Sequence, residues 1–312
     1  MRLSNKLLII EGDVLMSKDI FSGLESLGFE DVNNASLYKK DNYKISQTEE
    51  KIEQSEEDKQ RSLLYDMQVL CPVCEISFKA RAVKTSASRI LRKDSDSFIR
   101  YATINPYFYD VWVCNSCGYS AMKSDFHKIR NYQMESIKQK ITSRWRGKNY
   151  PDIYDIDIAI ERYKLSLLNY VVSEAKSSKK AMNCLKLAWM YRLKEDTNNE
   201  MTFLIQALDG FSDAYSNEDF PIYEMNKFTI MYLLGELNRR VEKPEEALTW
   251  FSKVITAPDA PQRLKDKTRD QKDLIEESLK KKAENDEDLI EETSLDDKNK
   301  KDKKGFFSKF FK

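Results

Sequence analysis

Between Asp152 and Thr256, apolar residues recur three and four positions apart, and only Gly210, Gly235, Pro221 and Pro244 interrupt the run. This is the period by which an α-helix keeps one face dry. It predicts helices near 155–174, 179–193, 199–216, 225–240, 245–256 and 262–282. Upstream the pattern changes. "SFKARAV" and "YDVWVC" alternate as strands do. "INPY" reads as a turn between them, because Pro106 restricts Asn105 to extended geometry. Nearer the start, Ile20, Phe21, Leu24 and Leu27 have the spacing of one short amphipathic helix.

The expected fold class is α+β, mostly α: a small zinc-ribbon-like β module followed by a tetratricopeptide-like array of α-helical hairpins. The expected divisions are 1–15 as an untranslated or disordered leader, 16–62 as the short helix and a charged linker, 63–150 as the zinc-ribbon-like module, 151–270 as the helical domain, and 271–312 as a charged tail with a Phe-rich end. The leader opens like the first strand of a response-regulator receiver domain, but no second hydrophobic strand follows. "EGD" followed by "VL" also fits a purine-rich ribosome-binding site ahead of Met16, which makes Met16 the expected start.

The helical half carries a repeating signature. Tetratricopeptide hairpins place Leu-Gly and then Tyr on the first helix, and Ala-x3-aromatic on the second. Here Leu234 and Gly235 are followed by Ala247, Phe251 and Val254, with Pro258 closing and Asn238 at the usual Tyr position. Leu187, Ala188 and Tyr191 precede Ala207, Phe211 and Ala214. Ala159, Tyr163 and Ser166 repeat the small-aromatic spacing. An irregular helical bundle is the alternative. Stacked hairpins leave a concave groove. Arg192, Asn238, Arg239 and Arg240, on first helices, suggest an acidic or C-terminal-carboxylate protein partner there.

Composition adds bounds. Lys+Arg and Asp+Glu both number 52, so no global charge draws the chain to nucleic acid or membrane. With 33% charged residues, 8 Gly and 7 Pro, helix is favoured. No apolar run is long enough for a spanning helix, and cytoplasmic is the expected location. No Ser-His-Asp set is evident around the one histidine, His127, and no glycine-rich phosphate loop is present. A non-enzymatic role is expected.

Four of the five cysteines form two knuckles, Cys71-Pro-Val-Cys74 and Cys114-Asn-Ser-Cys117, with residues 75–113 between them. Two Cys-x2-Cys turns supply the four thiolates of one closed structural zinc site, and four Cys leave no open position for catalysis. Pro72 stiffens the first turn. Gly118 follows the second where positive φ is often needed. Compact ribbons separate the pairs by about 15–20 residues. The longer spacer here costs only about 0.6 kcal/mol of extra closure entropy per doubling, so the spacer is expected to be folded. A thiol-disulfide redox pair is the alternative. His127 reads as a solvated helix residue, and Cys184 as core.

The spacer carries Lys79, Arg81, Lys84, Arg89, Arg92, Lys93 and Arg100 against Asp94 and Asp96, and then Tyr101, Tyr107, Phe108, Tyr109 and Trp112. Such interleaving can bind single-stranded nucleic acid. The plainer reading packs the aromatics over a small metal-centred core and pairs the Asp-Ser-Asp stretch with Arg89 or Arg92.

Cys71, Pro72, Cys74, Phe78, Arg89, Asp94, Asp96, Asn105, Pro106, Tyr109, Asp110, Cys114, Cys117, Gly118 and Tyr119 together resemble the bacterial domain-of-unknown-function family 2225. "LAWMYR" and "YLLGELNRR…EEALTWFSKVI" extend the resemblance over about residues 63–270. It implies a zinc-ribbon-like module joined to repeat-like helices, and it implies no reaction. The tail "GFFSKFFK" sets Phe306, Phe307, Phe310 and Phe311 on one helical face with Lys309 and Lys312 beside them. That pattern suits transient membrane-surface contact or a protein partner; an inert tail is the third reading.

Overall fold

A computed structural model of the chain describes residues 54–281, together with Ser26 and Gly28. The expected leader, nearly all of the short helix, most of the charged linker and the Phe-rich end lie outside the described residues. The chain divides into two compact units, between Ile222 and Tyr223.

The first unit begins with helix α1 (Gln54–Ser62), so the last part of the charged linker is helical. Three antiparallel two-stranded hairpins follow. β1 (Leu64–Leu70) pairs with β2 (Ser77–Val83) from Leu64↔Val83 to Leu70↔Ser77. β3 (Ile90–Lys93) pairs with β4 (Ile99–Tyr101), with an irregularity between Ile90 and Arg92. β5 (Val111–Val113) pairs with β6 (Ser120–Met122). The expected turn at Asn105 and Pro106 is a 3-10 turn over Pro106–Tyr109, capped by Asn105 Oδ1, which accepts from the Tyr107 amide at 3.0 Å. That turn takes up Tyr109, so the strand expected over "YDVWVC" shortens to three residues.

Helix α2 (Asn131–Ile137) runs into a π-helical turn at Lys138–Thr142. Then come α3 (Ile156–Val172), α4 (Ser177–Leu193) and α5 (Thr197–Asn217). α3 packs against β5, β6 and the Pro106–Tyr109 turn on one side and α4 on the other. It is therefore buried nearly all round, including its polar residues Arg162, Ser166 and Asn169. Asn169 Nδ2 donates to the Ser120 hydroxyl at 2.8 Å and to Leu165 O at 2.9 Å. The change from strand to helix near residue 151 thus falls inside one packed unit.

The second unit holds α6 (Lys227–Arg240), α7 (Pro244–Thr256) and α8, helical over 262–281. α6 and α7 form a hairpin whose close approach depends on Gly235: a Cβ there would lie 2.4 Å from the Phe251 ring. Every small or aromatic position of the repeating pattern is buried, among them Ala159, Tyr163, Ala188, Tyr191, Ala207, Phe211, Ala247 and Phe251.

Helix starts and stops have local causes. Asp155, Asp196 and Asn226 cap α3, α5 and α6 by accepting from the amide three residues on, at 2.8, 3.0 and 2.9 Å. α3, α4 and α6 end alike. Glu174, Glu195 and Glu242 adopt left-handed φ of 49°, 59° and 61°. The following amides of Ala175, Asp196 and Lys243 bond back to Tyr170, Tyr191 and Asn238 carbonyls. This is a Schellman ending in which glutamate occupies the position glycine usually takes.

Candidate metal centre

Each cysteine knuckle is the tip of a hairpin. β1 and β2 flank Cys71–Ile76, and β5 and β6 flank Cys114–Tyr119. The two tips have the same backbone. Cys71 N donates to Ile76 O at 3.1 Å, and Cys114 N to Tyr119 O at 2.8 Å. Glu75 N donates to Cys71 O at 2.9 Å, and Gly118 N to Cys114 O at 2.8 Å. The residue after each second cysteine is left-handed: Glu75 with φ 60°, Gly118 with φ 75°. In each turn two amides reach the first sulfur, those of Val73 and Cys74 for Cys71, and of Ser116 and Cys117 for Cys114. Such amides stabilise thiolate over thiol.

The four sulfurs lie within 4.8 Å of one another. Cys71 and Cys117 are 3.6 Å apart, as are Cys74 and Cys114. All are free thiols in the structure. With a metal–sulfur bond of about 2.3 Å, tetrahedral geometry sets sulfurs about 3.8 Å apart, so the cage fits one metal ion. Cys71, Cys114 and Cys117 are buried, and Cys74 is partly exposed. Without a cation the cage resists full ionisation. Hydrogen bonds from the Cys117 and Cys71 thiols hold Cys114 down to about 2. The same bond to Cys114 pushes Cys71 up to about 12, and pushes Cys117 up as well. One thiolate forms readily while Cys71 and Cys117 hold their protons more tightly; a dication removes that conflict.

The second knuckle is braced from behind. The Trp145 indole lies against Gly118, where a Cβ would come within 2.7 Å of the ring, and its Nε1 donates to Asn115 O at 2.7 Å. Thr142 Oγ1 donates to Cys117 O at 2.9 Å. Tyr119 OH donates to Phe126 O at 2.9 Å. Sequence reasoning did not single out Trp145, Thr142 or the left-handed Glu75; no local pattern marks them. His127 is exposed in a turn, not on a helix, edge-on to Phe126 and Trp112 and outside the cysteine cluster. Cys184 is fully buried, as expected of core.

The spacer is folded, and much of its charge is paired. Arg81 bonds Asp66 at 2.7 Å and Asp152 at 2.9 Å. Arg92 and Arg100 reach Asp94 at 3.5 and 3.1 Å. Lys84 donates to Ser62 O at 2.8 Å, and Arg89 stands exposed. The spacer's aromatics pack inward or on one another. Tyr107 lies 5.2 Å from Trp189, and Phe98 stacks on Trp189 at 5.3 Å. Tyr109 stacks on Tyr154 at 4.6 Å, and Trp112 meets Phe126 at 5.5 Å.

Three of the residues expected to line a groove have internal partners. Arg192 bonds Asp96 at 2.7 Å, Asp94 at 3.2 Å and Glu200 at 2.6 Å. Arg239 and Arg240 hold the buried Glu236 at 2.8 and 2.7 Å. The fourth, Asn238, is buried and donates to Leu234 O at 2.8 Å.

Fold and site define a class: an α+β chain, mostly helical, in which paired hairpin tips form a four-cysteine cage that could hold a metal ion. Over residues 64–275 the chain matches the family described as "Uncharacterized protein conserved in bacteria (DUF2225)", and it belongs to that family. It is similar to an uncharacterized protein of Borreliella burgdorferi, 24% identical over 157 residues, which covers 43% of this chain and 55% of the relative. The match therefore spans little more than half of that relative's length. No solved structure matches. Among the described residues, no helix is long and apolar enough to cross a membrane.

Proposed function

We propose that this protein is a non-enzymatic interaction protein, built on one structural zinc ion and a tetratricopeptide-like helical array that receives a protein partner. The cage carries the reading. Four cysteines leave no vacant coordination position, and four-sulfur tetrahedra select zinc or iron. Zinc is redox-silent and suits a role confined to structure. The contacts across the cage join different knuckles, Cys71 with Cys117 and Cys74 with Cys114. A redox motif would instead pair cysteines within one knuckle, so the thiol-disulfide alternative gains nothing from this geometry.

The helical array supports the interaction half of the reading through its Gly235–Phe251 approach and its three like helix endings. The partner chemistry inferred from Arg192, Asn238, Arg239 and Arg240 loses its basis, because those groups serve the fold. The nucleic-acid alternative is weakened in the same way by the pairing of Arg81, Arg92 and Arg100 and by the inward aromatics. Metal analysis of the purified chain tests the zinc half: the expected result is one zinc per chain and a colourless protein. Iron with visible absorption, or no metal, overturns it. A salt titration on single-stranded DNA and RNA tests the other half. Tight binding with a steep salt slope would favour the nucleic-acid alternative.

A further inference from the structure

The three hairpins differ in how their edges are protected. β5 and β6 are buried along their whole length. β3 is exposed at every position, but it is irregular at Leu91 and carries Arg92 and Lys93. Bulges and basic residues are the usual devices against edge pairing. β1 has neither. Its seven residues hold an unbroken register, with no Pro, Lys or Arg. Its one acid, Asp66, is met by Arg81 of β2 at 2.7 Å. Tyr65 is 40% exposed and Leu70 55%, and at the hairpin tip Ile76 is 49% exposed.

The ladder determines which groups face outward. Lys84 N donates to Leu63 O at 2.9 Å, and Cys71 N donates to Ile76 O at 3.1 Å. These two bonds bracket the hairpin, so the odd-numbered residues of β1 bond to β2. Leu64, Asp66, Gln68 and Leu70 then turn their N–H and C=O groups to the open edge. Among the described residues, no other strand pairs with β1.

We propose that this open edge of β1 pairs with the same edge of a second copy of the chain, antiparallel, about a two-fold axis at Met67. The strand is self-complementary in this register. Leu64 faces the partner's Leu70, Asp66 faces the partner's Gln68, and these are the residues whose backbone groups point outward. Moving the axis to Asp66 sets the two Asp66 side chains against each other, which like charges disfavour. Moving it to Gln68 sets Asp66 against the partner's Leu70. The chain's formal net charge of zero opposes no encounter of two copies. A two-fold strand pairing also closes on itself and leaves no further β1 edge to propagate.

Light scattering on the full metal-loaded chain, from low micromolar to near-millimolar concentration, reads the association directly. The expected mass rises from 36.6 kDa toward twice that value. Gln68→Pro removes an outward amide and leaves the β1–β2 ladder whole. It weakens association by about tenfold or more, through the lost inter-strand bonds, while metal content stays unchanged. Met67→Cys tests the register independently. Facing Met67 residues form a non-hydrogen-bonded pair with Cα atoms about 4.5 Å apart, within the range of about 4.4–6.8 Å that a disulfide spans. Mild oxidation therefore links the Met67→Cys chain into dimers, and leaves the Tyr65→Cys chain and the parent chain unlinked. A monomer at every concentration, an association indifferent to Gln68→Pro, or linking through Tyr65→Cys instead of Met67→Cys overturns the proposal. An edge that serves an extended peptide of another protein gives the first of these outcomes.

Discussion

Asp96 and Arg192 stand 96 residues apart in the chain and meet at 2.7 Å inside the first unit. Asp96 is fully buried. It also accepts from Trp189 Nε1 at 3.0 Å and from the Phe98 amide at 3.3 Å. Asp94 takes a second bond from Arg192 at 3.2 Å. In a sequence, Asp-x-Asp suggests a ligand set. Here the two carboxylates fasten the β3–β4 turn to helix α4. The strength of the fastening follows from burial, since removing one member of a buried ion pair leaves a charge without compensation.

Asp96→Ala is expected to destabilise the first unit by about 3 kcal/mol, the lower end of what breaking a buried pair costs, because Asp94 and Glu200 still hold Arg192. Urea unfolding reads this as a lower midpoint with little change in slope. The double variant Asp96→Ala, Arg192→Met is expected to lose less than the two single losses added together. Additive losses would mean that the contact is not coupled.

Gly118→Ala combines a left-handed backbone with a Cβ driven to 2.7 Å from the Trp145 ring. The expected cost is about 2–4 kcal/mol from strain and overpacking together, with weaker metal retention in a chelator competition. Glu75→Gly, at the matching position of the other knuckle, is expected to be neutral or slightly stabilising.

Chelation offers a direct optical readout. Trp145 braces the second knuckle, so stripping the metal is expected to shift tryptophan emission. That shift should disappear in Trp145→Phe. Helical circular dichroism from α3–α5 is expected to weaken as the metal leaves, because α3 packs on β5 and β6, which carry the second knuckle. Acid should release the ion as well, since protons compete for ligands that must be thiolates.

High pH is expected to unfold the first unit. Burial pushes the phenols of Tyr107, Tyr119, Tyr163 and Tyr170 above their ordinary value. The folded state therefore keeps protons that the unfolded chain gives up. The resulting stability is fully present below the unfolded value of about 10, and it falls as pH rises beyond that toward the folded values. Tyrosinate absorbance should appear in a step coincident with loss of helical signal, above pH of about 10. A smooth titration with the fold intact would contradict the burial.

Replacing Glu174, Glu195 and Glu242 together by glycine is expected to raise the melting temperature. Left-handed φ costs a non-glycine residue about 1–2 kcal/mol, and the extra backbone entropy of glycine returns only about 0.5–1 kcal/mol of that. A scanning calorimetry trace with an unchanged or lower midpoint would refute the strain.

The helices were legible because their cause is local. The expected 155–174 and 179–193 became Ile156–Val172 and Ser177–Leu193, and 199–216 became Thr197–Asn217. The four-cysteine set was legible because its spacing is itself the chemistry. What stayed hidden had no local mark. β3 is exposed throughout, so it shows no alternation, and β1 changes its buried face along its length. The matching left-handed residue of the first knuckle is a glutamate, which composition does not flag. Arg192 looked like groove lining because nothing near it in the chain announces Asp94, Asp96 or Glu200. For the same reason, the helices α3–α5 could not be seen to share a core with the cysteine module.

The two knuckles also set an order of events during synthesis. Sulfur partners 40 and 46 residues apart cannot meet until the second hairpin has left the ribosome. The surface on which β5 and β6 rest, α3, follows later still. The first two thiols thus wait as an open half-cage while the rest of the domain is translated. A nascent chain paused before Cys114 would be the form most exposed to oxidation.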